Sequence, residues 1–463
     1  MLIKGATVVT EELVGISHLR ISGEKITEIA PDLMEKPGEE VIDAQGKILL
    51  PGGVDVHTHM SLDLGHVVAT DDFYTGTVAA ACGGTTSIVD HMGFGPPGCS
   101  ILHQVQHYQA MAKDKAVIDY SVHGVTNRVD EGVLAEIESL IEEGITSHKV
   151  YTTYGGKLPD KDIFAILEHT AKLGVMICVH PENDGVVNYL REKFVREGKL
   201  TPKYHPLSRP PEAEADAIHR IALMAHLAGD APLYIVHLTC ALGLDLIRGR
   251  RKEGQKHLFA ETCPQYLTLD DSMYDRPDGL KYIMSPPLRP KENIAALWQG
   301  LETGEIQTVG TDHCPFFYEK EKQLGKDDFT KAPGGAPGVE ARMQILFSEG
   351  VSKGRFGLQD YANMMSTNPA KLFGMYPKKG VLKVGSDADM VLFDPDKEET
   401  ITWEKLHENV DYTPYEGLQV KGAPILTISR GKIVAKDGVF VGKAGDGQFI
   451  KRGLPIFVET QGR

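Results

Sequence analysis

Short apolar runs alternate with longer amphipathic stretches through the middle of this chain. The runs are Val54–His57, Thr86–Asp90, Ile118–Gly124, Ser147–Tyr151, Val175–His180, Leu233–His237, Leu258–Cys263 and Gln307–Asp312. Between them, segments such as Val133–Gly144, Ile163–Gly174 and Glu212–Ala228 carry apolar residues at helical spacing. A short, continuously apolar run between helical segments predicts a strand buried on both faces, as in parallel sheets. Eight such strand–helix units predict an α/β fold, a closed (β/α)8 barrel of the TIM type, over residues 53–375.

The two ends of the chain read differently. Leu2–Thr10, His18–Ile29 and Glu40–Leu50 are short runs separated by glycine and charged turns, and so are Asp389–Phe393, Ile425–Ser429 and Lys432–Ala435. Such spacing predicts strands. Residues 1–52 and 376–445 are expected to meet as one small β-sandwich domain. The Gly-rich, basic segment 446–463 is expected to form a tail and a candidate subunit contact.

Size and charge narrow the function classes. The 463 residues suffice for one large barrel and a small accessory domain. A formal net charge of −15 without a dense basic cluster argues against nucleic acid as a partner. No apolar run is long enough to span a bilayer, and the alternating start Met1–Thr10 reads as a strand, not a signal peptide. The six cysteines are scattered without Cys-x-x-Cys spacing, which fits reduced thiols and a cytoplasmic location.

The chemistry lies at the ends of the apolar runs. His57 and His59 close the first run, Lys149 lies late in the fourth, His180 and His237 end the fifth and sixth, and Asp312 ends the eighth. In a strand, residues two apart point to the same side, so both imidazoles of His57-Thr58-His59 can reach one cation. A parallel barrel gathers the carboxyl ends of its strands into one mouth. Four imidazoles and a carboxylate suit zinc or a similar borderline divalent ion. A single histidine at a strand end is usually structural. Burying six such groups without metal or partners would cost several kcal/mol.

Lys149 has two readings. Alone, it would be a lysine paired with Asp312 or reaching to the surface. Among cations it is pushed toward its neutral form. A neutral amine can add carbon dioxide, and the resulting carbamate is an anion able to bridge two metals.

Longer stretches carry a resemblance. Pro51-Gly-Gly-Val-Asp-Val-His-Thr-His59, Asp71-Asp72-Phe73, Gly83-Gly84-Thr85-Thr86, Lys149 followed by Tyr154, and Val179-His180-Pro181-Glu182-Asn183 are the first of these. Glu261-Thr262-Cys263-Pro264-Gln265-Tyr266, Ser285-Pro286-Pro287-Leu288-Arg289 and Thr311-Asp312-His313 complete the set. Together they resemble the cyclic amidohydrolases of the hydantoinase and dihydropyrimidinase branch over nearly the whole chain. The resemblance implies two zinc ions and a carboxylated Lys149 bridging them. It places His57, His59 and Asp312 on one ion, and His180 and His237 on the other. It also implies a homotetramer.

The family's substrate contacts fall on Tyr154, for the ring and the developing oxyanion, and on Ser285, whose main chain meets the ring amide. The third contact departs from the pattern. Gly334, in Lys331-Ala-Pro-Gly-Gly335, stands where these enzymes usually carry Asn, so a main-chain contact survives and a side-chain role does not. His91, His123, His148 and His313 are expected to be structural or to support the ligands. The implied reaction is hydrolytic ring opening of a cyclic amide. Asp312 moves a proton from water to the leaving nitrogen, and Tyr154 meets the oxyanion.

The loop after His59 bears on the substrate. Dihydropyrimidinases typically place a Pro-Phe-Met-Gly-Thr-like stretch here, whereas this chain has Asp63-Leu64-Gly65-His66-Val67. Smaller residues at Leu64 and Gly65 predict space for a bulky, aromatic 5-substituent on a hydantoin, with Phe94 and Tyr151 as stacking partners. The product would be an N-carbamoyl amino acid. Dihydropyrimidinase and allantoinase activities are the alternatives. Met60 replaces the arginine that dihydroorotases tend to carry after His-x-His, which disfavours an acidic ring. A non-catalytic scaffold relative would have lost ligands, and here every ligand position is filled.

Overall fold

In the computed structural model, which describes residues 1–460, the apolar runs become eight strands in one sheet. They are β1 (Gly53–Thr58), β2 (Thr85–His91), β3 (Asp119–Val125), β4 (Ser147–Tyr151), β5 (Met176–His180), β6 (Leu233–Ile235), β7 (Leu258–Thr262) and β8 (Thr308–Val309). Each pairs in parallel with its neighbours in sequence order. The first and last meet as well. A parallel bridge joins Thr58 to His313, and the amide of Asp312 donates to the carbonyl of His57 at 2.9 Å. Arg342 fills the same seam, donating to the carbonyls of Val54 at 3.1 Å and Val309 at 2.8 Å. This is a near-closed (β/α)8 barrel.

The apolar runs are continuous because each strand is covered on both faces. In β5, Ile177 and Val179 face the helices, while Met176 and Cys178 join the barrel interior. Val89, Tyr234 and Phe259 fill the same interior cluster, and Leu372, Phe373 and Ile450 complete it. The barrel is therefore a packed core with the candidate ligands gathered at its upper end. The connecting helices start and stop on local signals. Asp130 accepts the amide of Val133 to cap the helix Glu131–Ser139. Gly174, at φ 70°, ends Asp160–Leu173 in the left-handed conformation that glycine adopts without strain.

Both chain ends contribute to a separate, largely antiparallel nine-stranded sheet. Its centre is Ile48–Pro51, which pairs parallel to Leu2–Val9 and antiparallel to Met390–Thr400. A second core cluster, including Ile3, Leu19, Leu49, Met390, Leu426 and Ile428, supports it. The predicted run His18–Ile29 is two strands, Val14–Ser22 and Lys25–Ala30, because the chain reverses at Gly23. Beyond this sheet the chain returns to its own barrel. Ile450 donates to the carbonyl of Tyr120 at 2.7 Å, and Arg452, 3% exposed, donates to the carbonyl of Val122 at 2.7 Å. Residues 461–463 of the predicted tail lie outside the described residues. Among the described residues, no helix is long and apolar enough to cross a membrane.

β6 and β8 are shorter than the runs that predicted them. Leu233–His237 is extended only to Ile235, and Gln307–Asp312 only to Val309. The cause is the backbone of the functional residues themselves. His237 stands at φ 40° and Asp312 at φ 55°. Non-glycine residues seldom adopt this region, and where they do the strain commonly serves a site.

Candidate metal centre

The six side chains singled out in the sequence all line one cavity of about 490 Å³ at the carboxyl end of the barrel. Lys149 and His180 lie on β4 and β5, and His57 near the end of β1. His59, His237 and Asp312 lie just beyond strand ends. One carboxylate oxygen organises the first group: Oδ1 of Asp312 stands 3.1 Å from Nε2 of His57 and 3.2 Å from Nε2 of His59. Strand alternation alone does not explain this, since the β1–β2 register slips between Asp55 and Thr58. Ligand atoms of His57, His237 and Asp312 all fall within 4.8 Å of one another. The second group is His237 and His180, with Nε2 of one 2.9 Å from Nδ1 of the other.

Lys149 follows neither ordinary reading. It is 2% exposed, so it does not reach the surface. Among the described residues its ammonium nitrogen has no hydrogen bond or ion pair, only the face of Tyr151 at 5.5 Å. Burial lowers it to about 8, against the opposing pull of Cys178, Asp312 and Glu261. Desolvation, not neighbouring cations, is the larger cause.

The donor set tests whether divalent ions would fit. Among the described residues, His59 Nδ1 and His237 Nδ1 are buried without a partner. Two imidazole nitrogens face each other across 2.9 Å, and a buried lysine lacks an acceptor. Burying so many polar atoms unpaired is costly. Nitrogen and carboxylate donors converging in this way suit cations such as zinc. The residues fit the group.

Two carboxylates that the sequence reading quoted without a role hold the imidazoles in place. Glu261, in β7, sits 2.6 Å from Nδ1 of His57 and accepts the amide of His237 at 3.1 Å and the hydroxyl of Tyr234 at 3.0 Å. Burial alone would lower His57, but Glu261 and Asp312 raise it to about 9. Glu182 accepts from Nε2 of His180 at 2.8 Å, leaving Nδ1 free to face the centre. Against the effect of burial, Arg209 and His180 hold Glu182 down to about 2. Carboxylates that orient ligand histidines are a recurring part of metal sites. A charged residue inside the apolar run Leu258–Cys263 is the same signal that marked Lys149, and it would have found Glu261.

Tyr154, Ser285 and Gly334 line the same cavity. Tyr154 stands at φ 70°, its ring 5.0 Å from that of His180 and 5.2 Å from the guanidinium of Arg209. A β-carbon at Gly334 would lie 3.6 Å from Oγ of Ser285, an ordinary contact, so space beside the ring site is open there. Phe94 and Tyr151 line the cavity with rings 5.6 Å apart. Leu64 lines it too, but Gly65 does not.

The remaining histidines have other surroundings. His123 bonds Ser147 at 2.7 Å and the carbonyl of Val56 at 2.9 Å. His313 donates to Asp71 at 2.9 Å, while its Nδ1 accepts the amide of Gly338 at 3.1 Å. His91 stacks on His123 at 4.1 Å, and His148 is buried with both ring nitrogens unpartnered.

This geometry has close counterparts among known proteins. The profile of the amidohydrolase family matches residues 48–434. D-phenylhydantoinase of Escherichia coli O1:K1 / APEC is 47% identical over 452 residues, 98% of each chain. The solved dihydropyrimidinase from Brevibacillus agri NCHU1002 superposes with a TM-score of 0.96 at 46% identity, covering 98% of this chain and 99% of that one. D-hydantoinase from Bacillus sp. AR9 gives 0.95 at 46% identity with the same coverage. By both sequence and fold, the chain belongs to the amidohydrolase family.

Proposed function

We propose that the protein hydrolyses the ring of a cyclic amide, with a 5-aryl hydantoin as substrate and an N-carbamoyl amino acid as product. The observation that carries this reading is the meeting of His57 and His59 on Asp312 beside a buried, unpaired Lys149, at the floor of a cavity that fits a small ring. The similarity to D-phenylhydantoinase over nearly the whole chain supports the aryl preference. Its likeness to the Brevibacillus agri dihydropyrimidinase favours dihydrouracil as a second reading.

His57, His59 and Asp312 would hold one zinc ion, and His180 and His237 the other. Lys149 would bridge them once its amine has added CO₂, forming an N–C bond and releasing one proton. When bound, the ions would acidify a water molecule and polarise the ring carbonyl. Asp312 would accept a proton from the attacking water and return it to the leaving nitrogen. Tyr154, about 40% exposed as a whole, is raised above the ordinary phenol value, so its hydroxyl keeps its proton at neutral pH and would donate to the developing oxyanion. The main chain at Ser285 and Gly334 holds the ring amide. We further propose that the barrel spans residues 53–375, that 1–52 and 376–445 form the accessory domain, and that four copies assemble in the cytoplasm, with 446–463 at a subunit contact. Light scattering on the eluted protein tests the tetramer.

Two outcomes are expected. In a panel of 5-phenylhydantoin, dihydrouracil and allantoin, kcat/KM is highest for 5-phenylhydantoin by about tenfold or more, a difference of about 1.4 kcal/mol. A reversed order would move the assignment to the pyrimidine ring. Elemental analysis of His180→Ala should show the loss of one of two metal equivalents, and unchanged stoichiometry would refute the ligand assignment.

A further inference from the structure

One part of the cavity wall is irregular main chain from two distant segments. One runs through Ile283 and Ser285, the other through Pro333, Gly334 and Gly335. Neither belongs to a strand or helix, yet both carry proposed ring contacts. Their junction is Lys322. It is fully buried, in a short 3-10 turn, Lys322–Gly325. Its ammonium nitrogen donates to the carbonyls of Ile283 at 2.7 Å, Pro333 at 2.9 Å and Gly335 at 2.6 Å. No carboxylate pairs with it among the described residues; the aromatic face of Phe316 lies 5.9 Å away.

An unpaired buried ammonium is an expensive group to keep. Here its three N–H bonds meet three carbonyls, all from residues that line the cavity. The amide of Gly335 adds a direct bond to the carbonyl of Ile283 at 3.1 Å. On its other side the second segment is fixed to the metal-bearing end of β8, because Cys314 donates to the carbonyl of Ala336 at 3.0 Å. Gly335 packs closely on that side: a β-carbon there would lie 2.3 Å from the carbonyl oxygen of Cys314, so no side chain fits between them. One segment is thus anchored to the metal centre, and Lys322 ties the other to it.

We propose that Lys322 is a positioning residue for substrate, a hydrogen-bonding clamp that sets the spacing between Ser285 and Gly334 and hence where the ring sits against the metal centre. This rests on the ring-opening activity proposed above. The residue touches no reacting atom, so its loss should weaken ring binding and leave the chemical step nearly intact.

The test uses the metal-loaded enzyme and the variant Lys322→Met, which keeps most of the apolar stem and removes the donors. With 5-phenylhydantoin, KM is expected to rise about tenfold or more while kcat stays within about threefold and metal content is unchanged. Hydrogen exchange should quicken in peptides covering 283–285 and 333–336 and not in the barrel strands. A purely structural role would lower thermal stability without moving KM, and an unchanged KM in folded, metal-loaded Lys322→Met overturns the clamp. Should the Met variant fail to fold, Lys322→Gln decides: its amide restores two donors, so an intermediate KM is expected, and a wild-type KM overturns the proposal. The hydrogen-exchange arm needs no turnover. Absence of ring opening by the wild type would therefore refute the activity, while unchanged exchange would refute the clamp.

Discussion

Lys149→Ala is expected to lower kcat/KM at least about a thousandfold, a loss of about 4 kcal/mol of transition-state stabilisation. The argument starts from what this lysine lacks. It lies in a strand buried on both faces, with no acceptor among the described residues, and burial brings it to about 8. Neutral amine is then far more populated near physiological pH than for an exposed lysine, and neutral amine is the form that adds CO₂. The resulting carbamate would give a second anion to a predicted ligand set of four imidazoles with Asp312 as its carboxylate. Alanine removes that anion without blocking the cavity. Metal content should fall in the variant, and acetate or propionate should restore part of the activity by entering the vacated space. A ¹³C carbamate resonance from labelled bicarbonate should appear in the wild type and not in Lys149→Ala. Full turnover by metal-free Lys149→Ala would sink the mechanism.

Much of this site was legible because it interrupts a simple pattern. A lysine or an aspartate at the end of an apolar run is conspicuous in a sequence, and the barrel topology follows from the alternation of runs and helical segments. What the pattern did not carry was backbone geometry. His237 and Asp312 were assigned to regular strand ends, whereas both adopt positive φ and leave the sheet early. Periodicity reports burial, and a residue turned inward by a local twist is as buried as one in a strand.

The supporting groups were harder for another reason. Glu261 and Glu182 act through histidines distant in sequence or shared with a motif, so their roles appear only when His57 and His180 are seen to donate to them. Lys322 was invisible altogether. It sits in an irregular segment, Lys320-Glu-Lys-Gln-Leu324, that reads as solvated surface, and its partners are main-chain carbonyls that carry no sequence signal.

Asp312→Asn is expected to lower kcat about a thousandfold or more while leaving the fold and most of the metal in place. Asn keeps the volume and a carbonyl-type oxygen near His57 and His59, which now stand 3.1 Å and 3.2 Å from Oδ1. What it removes is the charge. In the wild type, His57 and His59 overcome the effect of burial and hold Asp312 well below the usual carboxylate range. Its resting state is therefore ionised, the form that can accept a proton. The left-handed turn at Asp312, whose N–H donates a hydrogen bond to the carbonyl of His57, places the carboxylate in the cavity. An amide cannot accept the proton from water or return it to the leaving nitrogen, so both ends of the reaction suffer together. Circular dichroism and metal analysis of Asp312→Asn should match the wild type while turnover collapses. A kcat within about tenfold of wild type, with both metals retained, would remove Asp312 from the proton path and leave it a ligand only.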